Sequence, residues 1–210
     1  MTNLLIFFLT FILQFFLIVD PIGGMPIFWS ITRKNTHEEQ VSMIKKAVII
    51  ATIIHLIFAI GGHYILDYFG IQIASIKIGG GILLFLIGIE MLYGRTTYTE
   101  LTDKEEKVAI ELDDISVTPL AIPLLAGPGS ITTVLIFSGM SNSFLYYLTL
   151  ILGIFIVLLL SYIILTQTHK ITKILGELGT KVVVRFMGLM LVFLAVQYII
   201  TGIKEGLLRL

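Results

Sequence analysis

The residues with chemistry to offer lie in two short interruptions of an otherwise apolar chain. The first is Asp20-Pro21-Ile22-Gly23-Gly24-Met25-Pro26, which joins a carboxylate to two prolines and two glycines. The second is Ala126-Gly127-Pro128-Gly129-Ser130, with Thr132 and Thr133 just beyond it. All five prolines of the chain (Pro21, Pro26, Pro119, Pro123 and Pro128) fall in or just before these segments. Proline lacks an amide N–H and clashes with the preceding turn, while glycine adopts conformations that other residues avoid, so together they unwind a helix. Beyond such a break the chain resumes as a half-helix with a free N-terminus, and Pro21, Pro26 and Pro128 suit its first turn. Exposed amides there attract an anion such as a carboxylate. Ser130, Thr132 and Thr133 add hydroxyls at the second of these termini. Carbonyls left free on the preceding segment suit a cation, an ammonium group or Na⁺. A zwitterionic amino acid needs both ends, and glycine at the break favours a small side chain. The structural alternative is a proline kink that only helps helices pack.

Asp20 is the acid placed deepest in apolar surroundings, where a carboxylate is costly and usually functional. Three roles are open to it: carrying a proton, ligating Na⁺, or binding a substrate ammonium. The alternative is that it caps the helix beginning at Pro21. His55 and Gln197 are polar positions inside apolar runs, read as packed groups that hydrogen-bond a neighbouring helix. Lys77 and Arg185 read as snorkelling anchors that enter their spans from opposite faces. The remaining chemistry is thin. The four histidines (His37, His55, His63, His169) are scattered, so no metal-ligand cluster is expected. One intramembrane Asp is too few for an aspartyl protease, and Gly129-Ser130-Ile131-Thr132 is not the Gly-x-Ser-x-Gly of a serine hydrolase. The chain is read as a non-enzyme without a cofactor.

The elements that position these residues are dictated by composition. Of 210 residues, 57% are hydrophobic and 13% charged, against about 25% charged in a soluble domain. Lipid must therefore solvate much of the surface. No cysteine is present, and net charge is zero without a basic tract, so nothing implies a disulfide scaffold or nucleic acid. Six apolar spans are predicted: Leu4–Thr32 (interrupted), Ala47–Phe69, Ile73–Tyr93, Ile115–Ser138 (interrupted), Phe144–Thr166 and Val182–Ile203. The N-terminal run has no basic n-region or small-residue cleavage site and reads as a retained membrane helix. Thr36 and Glu39 have capping-box spacing, which places the start of the second helix there. Thr102 and Glu105 repeat that spacing inside the polar stretch Arg95–Asp114, read as a surface helix. Lys170, Lys173 and Lys181 are assigned to a loop between the last two spans. Most basic residues fall on one side, which the positive-inside rule makes cytoplasmic, with both termini outside.

The halves resemble each other. Ile76–Leu86 laid over Val184–Leu194 aligns a basic residue, Gly80 with Gly188, and Phe85 with Phe193. The same offset pairs Gly94 with Gly202, and an offset one residue smaller pairs Pro21 with Pro128. Three spans per half is an odd number, so the halves insert in opposite orientation. Paired, Gly/Pro-broken helices in inverted repeats are a plan of secondary transporters. The expected architecture is an all-α membrane protein: repeat 1–94, cytoplasmic polar linker 95–114 and repeat 115–210.

Asp20-Pro21-Ile22-Gly23-Gly24-Met25-Pro26-Ile27-Phe28 resembles the D-P-I-G-x-x-P-x-F signature of the MarC family, and Pro119–Ile131 resembles that family's second signature. The family is also called the neutral amino acid transporter family. The resemblance implies an integral inner-membrane protein that moves glycine, alanine or similar small neutral amino acids on an ion gradient. It assigns no residue roles. The expected function is a secondary transporter coupled to H⁺ or Na⁺. Its solute site would lie between the broken helices, at Asp20, Pro21, Gly23, Gly24, Pro26, Gly127, Pro128, Gly129, Ser130, Thr132 and Thr133. The alternative is a channel-like facilitator, or an exporter of another small solute. Implied partners are the bilayer, the solute and the coupling ion; assembly into a homo-oligomer is left open.

Overall fold

A computed structural model of the chain describes residues 2–32, 35–94, 125–140 and 143–208. Regular structure among these residues is helical: α1 (Thr2–Val19), α2 (Gly24–Thr32), α3 (His37–Tyr68), α4 (Ile73–Tyr93), α5 (Pro128–Gly139), α6 (Phe144–Thr166) and α7 (Thr168–Leu207). Four helices are long and apolar enough to cross a membrane, namely α3, α4, α6 and the Leu178–Leu207 part of α7. The apolar helices Leu4–Val19 and Pro128–Gly139 are shorter. The stretch Arg95–Asp114 with its Thr102–Glu105 pair, Pro119, Pro123, Arg33 and Lys34 lie outside the described residues.

The first predicted span is broken where Asp20–Gly23 interrupts it, and α4 and α6 match their predicted bounds. Helix α3 begins ahead of its apolar stretch, at the predicted cap. Thr36 Oγ1 accepts from Glu39 N at 3.3 Å, and Glu39 Oε2 accepts from Thr36 N at 2.7 Å. Thirty-two residues reach ~48 Å, so the first turns of α3 stand clear of a ~30 Å hydrocarbon core. The last helix departs from expectation. Residues 168–181 are not a loop but a helical arm, broken only at Gly176 with φ +67° and ψ 176°. Just beyond the break, Thr180 Oγ1 donates to Gly176 O at 2.9 Å.

Large apolar side chains point outward in rows, such as Leu5, Leu9 and Leu13 on α1 and Ile49, Ile53, Ile57 and Ile60 on α3. That spacing is one helix face, and only lipid suits it. The inward faces meet in an aromatic centre. Phe11 stacks on Phe15 with ring centroids 5.1 Å apart and meets Phe137 of α5 edge-on at 5.1 Å. Gly153 admits α6 to this centre, since a Cβ there would lie 2.6 Å from the Phe11 ring.

Helices α4 and α7 run antiparallel with their backbones nearly touching. A Cβ on Gly81 would lie 2.8 Å from Ala195 O and 3.2 Å from Ile199 N; one on Gly188 would lie 3.0 Å from Gly88 O and 3.2 Å from Leu92 N. A Cβ on Gly202 would lie 2.7 Å from Ala74 O. Small residues at these contacts let two backbones approach, the usual device where helices pack in lipid. Lys77 closes the end of the seam. It does not snorkel: its side chain is 3% exposed and its Nζ bonds both Glu205 carboxylate oxygens, at 2.6 and 2.8 Å. Three consecutive glycines of α4 thus serve three ends. Gly79 faces open space, Gly80 receives the methyl of Thr132, and Gly81 receives the backbone of α7.

These contacts separate two glycines of α4 by experiment. Gly79→Ala should raise the thermal stability of the purified protein, since helix propensity favours Ala by ~0.5–1 kcal/mol. Gly88→Ala should lower it despite the same propensity, because its Cβ would sit 2.9 Å from Gly188 O and overpacking costs about 1–3 kcal/mol. Equal melting shifts for the two variants would contradict the seam. At the start of α3, hydrogen bonds from Thr36 hold the Glu39 carboxylate below its usual range. A depressed folded pKa gives stability that is present above the unfolded value and lost as pH falls through the folded one. Thr36→Ala should therefore lower stability at neutral pH. The gap between wild type and variant should narrow on acidification below the ordinary carboxylate pKa. A gap unchanged across that window would mean that Glu39 is not bonded to the cap.

Candidate functional site

The first break is a tight turn closed by its own acid. Asp20 has φ +43°, a left-handed conformation that Asp and Asn tolerate better than other non-glycine residues. Its amide continues α1 by bonding Phe16 O at 3.0 Å, and its carbonyl accepts from Gly24 N at 3.0 Å. Its carboxylate Oδ1 accepts from Gly23 N at 3.0 Å. The space a side chain on residue 23 would need is filled by the Asp20 carboxylate itself. Asp20 is half-buried, Pro21 and Gly24 are buried, and Pro26 is exposed in the first turn of α2.

The second break is built differently. Gly127 is the N-cap of α5 with φ −75° and ψ 168°, Pro128 occupies the first helical turn, and no side chain caps the terminus. The first intrahelical bond runs from Ile131 N to Gly127 O at 3.1 Å. The Gly129 and Ser130 amides lie ahead of it, at the positive end of the helix. Gly129, Ser130 and Thr133 are buried, Gly127 and Thr132 are half-buried, and Pro128 is exposed.

The second break reaches the end of α1 through Gly129. A Cβ there would lie 3.2 Å from Ile18 Cγ2, two residues ahead of Asp20, and 2.7 Å from Leu84 Cδ2. The glycine therefore brings the start of α5 against the end of α1. Thr132 does not face α1; its methyl fills the gap left by Gly80 on α4. Thr133 Oγ1 bonds back to Gly129 O at 3.0 Å and neighbours the Tyr198 hydroxyl. Ser130 Oγ lies 2.9 Å from Gly127 O, 3.2 Å from Leu125 O and 3.0 Å from His55 Nε2.

Two residues of this polar centre are not marked by the sequence motifs. The Tyr198 hydroxyl of α7 donates to Gln14 Oε1 of α1 at 2.7 Å. Gln14 is an isolated amide in an apolar run, which is itself a signal; Tyr198 carries none among so many aromatics. His55 bonds across to Ser130 on α5, as expected of a packed polar group. Gln197 does not bond a neighbouring helix. It is exposed, and its Nε2 donates to Thr201 Oγ1 of its own helix at 3.2 Å. Gln14, His55, Ser130, Thr133 and Tyr198 thus join α1, α3, α5 and α7 around the two breaks.

Two cavities lie toward the other end of α2. One of about 560 Å³ is lined by Pro26, Trp29, His169, Thr172, Lys173, Thr180 and Lys181. The other, of about 430 Å³, is bounded by Trp29, Asn35, His37, Gln40 and residues 166, 167, 169 and 170. Trp29 and His169 divide them, with ring centroids 5.7 Å apart. Pro26 thereby places the first break at the inner edge of a basic, partly aromatic cavity. Among the described residues no group of His, Asp or Glu is arranged to hold a metal ion.

Known proteins are similar to this sequence across nearly its whole length. It is 40% identical over 201 residues to a UPF0056 membrane protein of Methanocaldococcus jannaschii, covering 96% of this chain and 88% of the relative. A UPF0056 membrane protein of Pyrococcus horikoshii is 39% identical over 190 residues, 90% of each chain. The UPF0056 membrane protein YvbG of Bacillus subtilis is 35% identical over 193 residues, 91% of this chain and 92% of the relative. No solved structure matches. The family model described as MarC family integral membrane protein matches residues 5–207, and it takes in both helix breaks and the helices that meet around them. The chain belongs to the MarC family of integral membrane proteins.

Proposed function

We propose that the protein is a secondary transporter of small neutral amino acids, of the glycine or alanine kind, coupled to H⁺ or Na⁺. The observation that carries this reading is the approach of Gly129 to Ile18, which sets the second break against the end of α1, two residues ahead of Asp20, beside a buried polar centre. Unwound backbone at membrane depth persists only where protein buries it or water reaches it. The two breaks also differ in a way that suits a zwitterion. The terminus of α2 is served by the Asp20 carboxylate, whereas α5 has no side-chain cap. A substrate carboxylate would take the Gly129 and Ser130 amides, and its ammonium would take Asp20. Gly127, Pro128 and Pro21 shape the backbone there, with Gly23 and Gly24 keeping it slim. Thr132 and Thr133 hold α5 against α4 and α7.

The membrane arrangement we infer has six crossings. Helices α1 and α2 form one broken span, and α5 with the chain before it forms another. Residues 1–94 and 115–210 are read as inverted repeats joined by the polar linker 95–114. The α4–α7 seam supports this. Exchanging Gly81 with Gly188, Gly88 with Ala195, and Leu92 with Ile199 turns one set of close approaches into the other. That offset is the one that pairs Pro21 with Pro128, so a single two-fold would relate both seam and breaks. By the positive-inside rule the basic residues favour a cytoplasmic Trp29–His169 end, with both termini outside a cell (inner) membrane. The cavity at Pro26 is then the cytoplasmic approach to the site. Burial of Gly129, Ser130 and Thr133 favours stepwise exchange over an open channel.

Proteoliposomes holding the purified protein should take up labelled glycine or alanine saturably, and the uptake should collapse with the ion gradient. The substrate assignment fails if no amino acid moves and none raises the melting temperature. Asp20→Asn keeps the left-handed preference and the Oδ1 acceptor, so it should fold normally and lose uptake; wild-type uptake would clear Asp20. Gly23→Ala should displace the Asp20 carboxylate and lower stability by the ~1 kcal/mol of a lost cap, with uptake falling too. A wild-type melting curve for that variant would place the carboxylate elsewhere.

A further inference from the structure

The arm that opens α7 lies between two apolar spans. Helix α6 ends at Thr166, the arm begins at Thr168, and the apolar part of α7 begins at Leu178. Residues 168–181 carry three lysines, Lys170, Lys173 and Lys181, against one acid, Glu177. They also carry apolar side chains that the protein leaves uncovered. Ile174 is 84% exposed and Leu178 79%, and Val182 and Phe186 continue the row at 61% each. The four are spaced four residues apart, and the last three belong to the apolar part of α7. Lipid suits such a row and water does not. An apolar face bordered by lysines is the pattern of a helix lying along the membrane interface.

The cavity of about 560 Å³ is built from the same stretch of chain. Thr172 and Lys173 of its wall directly precede Ile174, and Thr180 and Lys181 directly precede Val182. From α2 the wall is made by Pro26 and Trp29. Its described lining residues include two lysines and no carboxylate. Lys181 has a further interaction within the protein, so Lys173 and the lysine excess of the arm carry the charge argument. Basic pockets beside membrane helices suit the headgroups of anionic lipids. We propose that this cavity binds an anionic glycerophospholipid, its phosphate held at Lys173 and Lys181 and its acyl chains lying along the row from Ile174 to Phe186.

The remaining polar groups of the wall fit the rest of such a headgroup. The Thr172 hydroxyl and the Trp29 indole N–H are donors of the kind that phosphate oxygens accept from. Thr180 Oγ1 spends its hydrogen on Gly176 O at 2.9 Å, which leaves its oxygen as an acceptor for a headgroup hydroxyl. A phosphatidylglycerol headgroup offers both a phosphodiester and hydroxyls. A zwitterionic headgroup would bring its own cation to the same lysines, which favours a lipid with net negative charge. A soluble phosphate could use the lysines but would leave the apolar row bare. Tryptophan and lysine are also the side chains suited to the depth at which a lipid phosphate lies. Pro26 lines the inner edge of the cavity, so the headgroup would stand beside the first break. The lipid site stands whether or not the protein moves amino acids.

Trp29 is the only tryptophan of the chain, so its fluorescence reports on this cavity alone. The full chain is reconstituted in bilayers of phosphatidylglycerol and phosphatidylcholine in varied ratio, with one lipid or the other carrying brominated acyl chains that quench tryptophan. Quenching against composition gives the preference of the site near Trp29 for the anionic lipid. In the wild type it should exceed about tenfold, and Lys173→Gln should lower it about fivefold. The double variant Lys173→Gln/Lys181→Gln should bring the preference close to none. Lys45→Gln/Lys46→Gln, which removes two exposed lysines near the start of α3, should leave it as in the wild type. Equal quenching by the two lipids in the wild type overturns the proposal. Equal losses in the two double variants also overturn it, since they would reflect only the attraction of the whole basic end. Glycerol phosphate added in solution should leave the quenching unchanged; relief of quenching by it would make this a site for a soluble phosphate and sink the lipid assignment. If the double variant at Lys173 and Lys181 does not fold, Lys173→Gln alone decides.

Discussion

A helix that stops inside hydrocarbon leaves amides and carbonyls that lipid will not bond, and each unsatisfied group costs several kcal/mol. Among the described residues the chain is interrupted at Asp20–Gly23 and starts a helix anew at Pro128, and much of the internal architecture answers those two places. At the first, the Asp20 carboxylate takes the Gly23 amide. At the second, the Ser130 hydroxyl lies within reach of the Gly127 and Leu125 carbonyls. Close packing then keeps lipid away: Gly129 sits against Ile18 and Leu84, and the Phe11 cluster fills the space behind it. The glycines near the breaks are therefore used more for close approach than for flexibility.

The polar side chains of the interior are tied to this constraint as well. His55 and the Gln14–Tyr198 pair each cross between helices at the level of the breaks. A hydrogen bond between membrane helices is modest in strength, ~1 kcal/mol, so such a centre can be rearranged without unfolding the protein. The α4–α7 seam is the opposite kind of contact. Its backbones are within van der Waals reach along its length, and the Lys77–Glu205 pair holds one end. A tight seam beside an adjustable polar centre is a division that suits a protein in which one part must move against another.

The sequence made the local features legible and left the long-range ones hidden. The break at Asp20–Gly23, the Pro128 start of α5 and the Thr36–Glu39 cap are each determined by residues within a few positions of one another. Lys77 illustrates the limit. From its own surroundings it resembles an anchor at the edge of a span, and only the approach of α7, more than a hundred residues later, turns it into a buried partner of Glu205. Tyr198 and Gln14 are likewise far apart in the chain, and nothing local distinguishes this tyrosine from the others. The helical arm from Thr168 was concealed by its lysines, which resemble loop residues although they continue one exposed helical surface. The solute site itself had the right glycines and hydroxyls, but not the histidine and tyrosine that face them.

Helix α2 packs Met25 and Phe28 into the core, and a side chain of its neighbour ties down its C-terminal end. Gln40 of α3 donates to Thr32 O at 2.9 Å and to Asn35 O at 3.3 Å, and Thr32 Oγ1 bonds Phe28 O at 2.7 Å. Nine residues make a rod ~13 Å long, pivoted at Thr32 and carrying Gly24 at its tip. Tilting that rod by ~10° would sweep the tip through ~2 Å, which is more than half the length of a hydrogen bond. A small displacement at the Gln40 contact would thus be amplified at the Asp20 turn, making α2 a lever held at Thr32.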